Sequence, residues 1–370
     1  MTAGLRLLLI TDAVGGVWVY SLELAKALKP LGIETVLAVM GPSPNGEQRV
    51  AAADFKLIDT GLPLEWLDTT PAELKAAGLA LSAIADREDV DVVQTCSAAL
   101  LADAEFSQPC VAVQHSCVAS WWDAVRGTEL PSSFGWRRDL VECGLNRATA
   151  IVAPSIAFAA ETARVYEVPS PVVAVHNGRR PALATAVPQA DFVLTVSRLW
   201  DEGKNVATLD AAAAHVRAPF EAAGAQHGPN GAVVQLKHMR PLGEVSGARL
   251  LGLLSARPMF ASAAVYEPFG LSVLEAAHAG CALILSDIPT HREMWGSAAL
   301  FVPPRDERAF ASAIQDVLED PDERWQLGQL ARARAQLYTP ERTARGMADI
   351  YARVVEPRVA PRTARIAGAA

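Results

Sequence analysis

The chain has 370 residues, of which 51% are hydrophobic and 20% charged, and a formal net charge of −8. A chain of this length fills more than one core, while its acidic balance argues against broad nucleic-acid binding and against general attraction to anionic lipid. Five scattered cysteines, Cys96, Cys110, Cys117, Cys143 and Cys281, show no C-x-x-C spacing and no histidine cluster, so reduced thiols and no zinc site are expected.

The opening M-T-A-G-L-R-L-L-L-I-T-D has no basic leader and no small-residue cleavage site and reads as a strand; no apolar run approaches the ~18 residues of a membrane span. Short Val, Leu and Ile runs then alternate with helical patterns, which predicts a parallel sheet covered on both faces. Strands are expected near 5–11, 35–40, 55–59, 91–95, 110–114, 150–153 and 172–175, and helices near 18–29, 71–86, 98–105, 134–147 and 156–166. Thr70 and Ser155 are N-cap signals, and Pro30 with Gly32 stops the first helix.

The stretch 179–190 has no apolar period and reads as a linker. A second alternation follows, with strands expected near 192–197, 232–236, 258–261, 282–286 and 299–302. Helices are expected near 205–217, 246–256, 271–279, 306–319, 321–337 and 340–355, before a basic tail. Two doubly wound parallel-sheet domains in tandem would face a central cleft, where ligands bind outside the carboxyl ends of the strands.

The candidate polar residues fall at those ends. Gly15 and Gly16, between a strand and a helix, allow backbone to approach a phosphate, or serve only as a tight turn. Arg198 and Lys204, in V-S-R-L-W-D-E-G-K-N, can reach one diphosphate or simply pair with Asp201 and Glu202. His115 ends a strand facing the cleft; His278 follows Glu275 by three residues; the other five histidines carry no signal. Trp121, Trp122 and Arg126 read as a loop whose rings either stack on an acceptor or form a core corner.

In Y-E-P-F-G-L-S-V-L-E-A-A, Glu267 and Glu275 bracket a helix start. The free amides around Phe269, Gly270 and Leu271 carry the positive end of the helix dipole and suit a phosphate, while Glu275 suits sugar hydroxyls. There is no G-x-G-x-x-G and no P-loop, so a nicotinamide oxidoreductase rests on domain architecture alone.

Taken together, these residues resemble the retaining glycosyltransferases of family 4 (glycosyl transferases group 1), which have the GT-B fold. The resemblance rests on G-G-V at 15–17, His115, P-S at 154–155, N-G at 177–178, the R-L then K segment at 198–204 and E-P-F-G-L-S-V-L-E-A-A at 267–277. It implies two Rossmann-like domains: an acceptor-binding domain at 1–182 and a nucleotide-sugar-binding domain at 183–340. A C-terminal helix at 341–370, with its tail, would cross back to the first domain. It also implies that Glu275 holds the nucleotide ribose, Glu267 the hydroxyls of the transferred sugar, Arg198 and Lys204 the diphosphate, Gly16 a donor phosphate, and that His115 lies near the reacting carbon. Four departures stand out: the Arg198-to-Lys204 spacing of six, one longer than in many relatives, Asn205 where glycine commonly follows the lysine, Cys281 at a frequent proline, and R-R-P after Gly178 where an acidic residue is common.

The expected protein is thus a cytoplasmic, metal-independent retaining enzyme without cofactor, with any membrane contact peripheral at the inner face. Its partners would be a nucleotide-diphosphate sugar and a sugar or glycolipid acceptor in polysaccharide biosynthesis, without nucleic acid. A GT-B protein that binds nucleotide sugar without transfer is the competing reading.

Overall fold

The computed structural model describes residues 4–67, 69–168, 170–181 and 187–356. Part of the expected linker, the expected boundary at 182–183 and the basic tail from residue 357 lie outside the described residues.

The first half runs β1 (Arg6–Asp12), α1 (Gly16–Leu28), β2 (Glu34–Met40), α2 (Gly46–Ala51), β3 (Lys56–Asp59), α3 (Pro71–Arg87), β4 (Val92–Thr95), β5 (Cys110–Val113), α4 (Val118–Arg126), α5 (Ser132–Arg147), β6 (Ala150–Ala153), α6 (Ile156–Val165) and β7 (Val172–Ala174). The second runs β8 (Val193–Val196), α7 (Val206–Ala213), β9 (Phe220–Ala223), β10 (Arg240–Gly243), α8 (Gly247–Ser255), β11 (Met259–Ser262), α9 (Leu271–Ala279), β12 (Leu283–Ser286), α10 (Pro289–Trp295), β13 (Leu300–Val302), α11 (Glu307–Glu319), α12 (Pro321–Ala335) and α13 (Pro340–Val355).

The strands form two parallel sheets, ordered β3-β2-β1-β4-β5-β6-β7 and β10-β9-β8-β11-β12-β13. In each, the order reverses beside its first strand, between β1 and β4 and between β8 and β11, which is where such sheets open a ligand crevice. β1 is apolar on both faces because both are covered. Leu8 and Ile10 join Val36, Val93 and α3 in one core layer. Leu7 and Leu9 join Leu37, Val92, α1 and α13 in the other.

Helix α13 follows the second sheet in sequence but buries Met347, Ile350 and Tyr351 in the first-domain core. Each such side chain contributes roughly 1.5–3 kcal/mol of transfer free energy, so α13 holds firmly to α1. Gly178 makes this crossing possible: a Cβ there would lie 2.0 Å from the Thr339 carbonyl carbon.

Four local expectations differ from the structure. Residues 98–105 hold only a short 3-10 turn at Ala98–Leu101 instead of a helix. The stretch 232–236 is irregular, with one bridge between His227 and Val233, while β9 and β10 form on either side of it. Trp121, Trp122 and Arg126 lie on α4 instead of a loop; Cys117 caps its start and Gly127 ends it at φ 61°. The short helices α2 and α10 lie where the sequence showed no helical period. Among the described residues, no helix is long and apolar enough to cross a membrane.

Candidate active site in the interdomain cleft

The first-domain wall begins where β1 ends. Asp12 is 7% exposed and its Oδ1 accepts from the Val14 amide at 2.7 Å. Burial outweighs that bond and the nearby Arg198 charge, and pushes the carboxyl up to about 6. Gly15 then caps α1 at φ 70°, and Gly16 opens the helix. A Cβ on Gly16 would sit 3.5 Å from Leu271 Cδ1, so the start of α1 faces the start of α9 across the cleft.

His115 lies two residues past β5, with its ring edge-on to Tyr20 at 4.4 Å and its Nε2 buried without a partner. Burial lowers its pKa to about 4, so the imidazole is neutral at pH 7. Asp12 and His115 line a cavity of about 500 Å³ that reaches past α4 to Glu65 and Trp66. Trp121, Trp122, Arg126, Arg198 and Trp200 also line it.

The second-domain wall is ionic. After β8, Arg198 Nη2 pairs with Asp201 at 2.8 Å. Burial raises the Asp201 carboxyl, but the charges of Lys204 and Arg198 and the bonds from Trp121 and Gly203 outweigh it, so it titrates below the ordinary range. A 3-10 turn at Glu202–Lys204 then aims Lys204 Nζ at Glu267 Oε2, 2.7 Å away, with both side chains mostly buried. Asn205 holds φ 49°, a left-handed conformation that glycine adopts freely and asparagine tolerates. Its amide donates to the Ala263 and Pro304 carbonyls at 2.9 and 2.6 Å, which ties it in place.

Gly270 caps α9 at φ 94°, leaving the first amides of that helix for a ligand. Phe269 is buried at 4%, packed edge-on against Tyr338, so its ring is structural and only its backbone is available to the site. Glu275, one turn further, accepts from Arg179 Nε at 2.7 Å, and Arg179 Nη1 reaches Glu23 of α1 at 2.8 Å. Glu275, His278, Arg179 and Arg180 line a second cavity of about 90 Å³ with leucines of α8. His278 itself is buried, which lowers its pKa.

Several contacts join the walls. Tyr266 Oη accepts from the Cys117 amide at 3.2 Å and bonds the Ser120 hydroxyl at 2.9 Å. Ser155 caps α6 and also donates to the Pro268 carbonyl at 2.8 Å. Glu293 of α10 accepts from the Ile156 and Ala157 amides, capping α6 from the other domain, and bonds His176. Trp121 Nε1 donates to Asp201, and Arg126 pairs with Glu202.

The structure therefore gathers His115, Arg198, Trp121, Trp122 and Arg126 around the larger cavity, sets Lys204 on Glu267 beside Gly270, and puts Glu275 in the smaller one. Asp12, Glu65, Arg179 and Glu293 were not anticipated. Asp12 was findable as the polar end of a buried strand, and Arg179 as the departure after N-G; Glu65 and Glu293 gave no local sign.

Two family models match consecutive stretches of the chain: one described as Glycosyltransferase Family 4 over residues 14–183, and one described as Glycosyl transferases group 1 over residues 190–320. The chain belongs to the family 4, group 1 glycosyltransferases. A glycogen synthase of Mycobacterium tuberculosis is 36% identical over 101 residues, which is 27% of this chain and 24% of that protein. An O-antigen chain mannosyltransferase, RfbU, of Salmonella typhimurium is 36% identical over 81 residues, 22% of this chain and 23% of that protein. The matched stretch thus spans about a quarter of the length of these relatives.

Solved structures of the same GT-B fold cover nearly all of the chain. A sucrose-phosphate synthase from Thermosynechococcus elongatus superposes with a TM-score of 0.76 at 20% identity, covering 95% of this chain and 100% of that one. Anabaena HepE, solved in complex with UDP-glucose, gives 0.73 at 16% identity, covering 94% and 99%.

Proposed function

We propose that this family member transfers a sugar from a nucleotide-diphosphate sugar to a hydroxyl acceptor, with retention of anomeric configuration and without a metal. The observation that carries the reading is the meeting of two helix starts, at Gly16 and Leu271, beside Arg198 and the Lys204–Glu267 pair. Two helix dipoles and two cations converge there on the place a diphosphate would occupy. Such a cradle stabilises the negative charge that grows on a departing diphosphate, the part of this reaction most in need of it.

In the proposed step, the acceptor oxygen bonds to the anomeric carbon while the bond from that carbon to the phosphate oxygen breaks. The electron pair stays on the phosphate, which takes the acceptor's proton on the same face of the sugar. Neutral His115 lies on the acceptor side of that carbon, and Glu267, held by Lys204, positions sugar hydroxyls. Glu275 holds the ribose beside the smaller cavity. The binding of UDP-glucose by a protein of the same fold, Anabaena HepE, supports the choice of donor class. The acceptor would be a sugar or glycolipid, met in the cytoplasm or at the inner membrane face; the likeness to an O-antigen chain mannosyltransferase, RfbU, supports a glycan acceptor.

The test is turnover of UDP-, GDP- and ADP-sugars with EDTA present, the product anomer read by NMR. Lys204→Ala and Glu275→Ala should each lower donor turnover on the order of 100-fold or more while circular dichroism stays native. Normal turnover in both variants, or an inverted product, would overturn the reading.

A further inference from the structure

The larger cavity carries more information than its position. Its volume, about 500 Å³, lies within the roughly 300–1,000 Å³ range of small-molecule sites. Its walls are unusually aromatic: Trp122 lies against Phe134 with centroids 5.7 Å apart, Trp66 is 38% exposed at the far end, and Trp121 and Trp200 stand nearer the cleft. Flat, half-exposed rings offer faces to the C–H edges of a sugar ring, at low entropic cost because each has only two rotatable side-chain bonds.

The charges are as telling. Three arginines line the cavity, and each is engaged. Arg126 is paired with Glu202 at 2.7 Å and lies over both Trp121 and Trp122. Arg137 donates to the carbonyls of Glu65 and Leu67 and stacks on Trp136 at 4.2 Å. Arg198 is paired with Asp201 and belongs to the donor wall. Among the described residues no lysine lines the space. What remains is acceptor-rich: Asp12, whose Oδ2 takes no hydrogen bond from the described residues; Glu65, to which Ser97 donates; and His115 with its unpartnered Nε2. Burial pushes both carboxyls up, and the charges of Arg198 near Asp12 and Arg137 near Glu65 offset it only in part.

We propose that this cavity selects an uncharged glycoside as acceptor, its sugar ring stacked on the Trp122–Phe134 face and its hydroxyls donating to Asp12 and Glu65, and that it rejects acceptors bearing a phosphate. The inference rests on the glycosyltransferase reading and adds the acceptor's chemistry. With Arg198 taken by the donor diphosphate and Arg126 and Arg137 held by Glu202 and by backbone carbonyls, an acceptor phosphate would meet two carboxyls, whereas hydroxyl groups satisfy both acidic side chains without bringing charge into a low-dielectric space.

Phenyl β-D-glucopyranoside and its 6-phosphate, titrated by calorimetry and saturation-transfer NMR into the intact protein with UDP present, test this directly. The neutral glycoside should bind at least tenfold more tightly than its phosphate. Trp122→Ala should weaken it at least tenfold, Trp122→Phe should recover most of that loss, and Asp12→Asn should narrow the preference for the neutral ligand. Tighter or equal binding of the phosphate, no binding of the neutral glycoside, or full binding by both Trp122 variants and Phe134→Leu would each overturn the proposal. A wild-type thermal shift with UDP separates the two levels: if the shift is present and the glycoside fails, only the acceptor inference falls; if no nucleotide or nucleotide sugar shifts the protein, the donor reading falls with it.

Discussion

On the second-domain wall the charges sit in pairs, Lys204 on Glu267 and Arg198 on Asp201, whereas on the first-domain wall Asp12 and His115 are buried with no ion-pair partner among the described residues. The consequence shows in their protonation. Asp201 titrates below the ordinary range, while Asp12 is pushed up to about 6 and His115 down to about 4, both towards their neutral forms. One wall holds its charges in pairs, while the other, apart from the amides at the start of α1, holds its buried groups in their neutral forms. The transfer proposed above, which separates an anionic leaving group from a neutral nucleophile, is served by that asymmetry, because cations beside the nucleophile would compete for the diphosphate.

The Lys204→Ala and Glu275→Ala losses described above are the largest effects expected and fall on the ionic wall. Next is the first wall's burial of a carboxyl. Because the folded pKa of Asp12 lies above its ordinary value of 3.8, the folded state binds the extra proton, and stability falls as pH rises from about 4 through about 6. Asp12→Asn removes that cost, so the variant should gain up to ~3 kcal/mol over wild type at pH 8 and little at pH 4 in urea melts at the two pH values. A pH-independent difference would show that Asp12 is not held as an uncompensated buried acid.

Asn205 probes the backbone that sets Lys204. Asn205→Ala keeps the left-handed strain and loses two amide bonds, and should cost about 2–3 kcal/mol. Asn205→Gly relieves the strain and should cost only about 1 kcal/mol; equal losses in the two variants would argue against a conformational role.

The smallest kinetic effect belongs to Arg179, which touches both walls through Glu23 and Glu275. Arg179→Ala should raise the donor KM about tenfold, ~1.4 kcal/mol, with kcat changed less, and Arg179→Lys should recover part of it. Lowered kcat at unchanged KM would instead place Arg179 in domain closure.

Much of this architecture was legible in the chain. The buried strands β1, β2, β8 and β12 are continuous apolar runs, and such runs announce a sheet covered on both faces wherever they occur. β9 and β10 were not legible, because F-E-A-A and R-P-L-G carry too little apolar pattern; β10 is an edge strand, where Pro241 costs no ladder bond that matters. Val233 shows the converse: it sits in an apolar run that reads as a strand, yet it is 55% exposed and pairs only with His227 in a single bridge. The segment of α4 reads as a loop because serine and tryptophan favour helix weakly, and only its packing on α5 and on the turn at Glu202–Lys204 settles it.

The sequence by itself determined two wound domains and the E-P-F-G-L-S-V-L-E segment with Arg198, Lys204, His115 and Gly16, because helix starts, strand ends and residue types are local properties. The tertiary structure alone decided what those residues face. Arg179 on Glu275, Tyr266 on Ser120, Glu293 capping α6 and the aromatic cavity that reaches Glu65 all join residues 96 or more apart or sit on surfaces assembled from separate elements. No local pattern encodes such pairings, since they arise only when buried groups from distant segments must satisfy one another's hydrogen bonds and charges away from water.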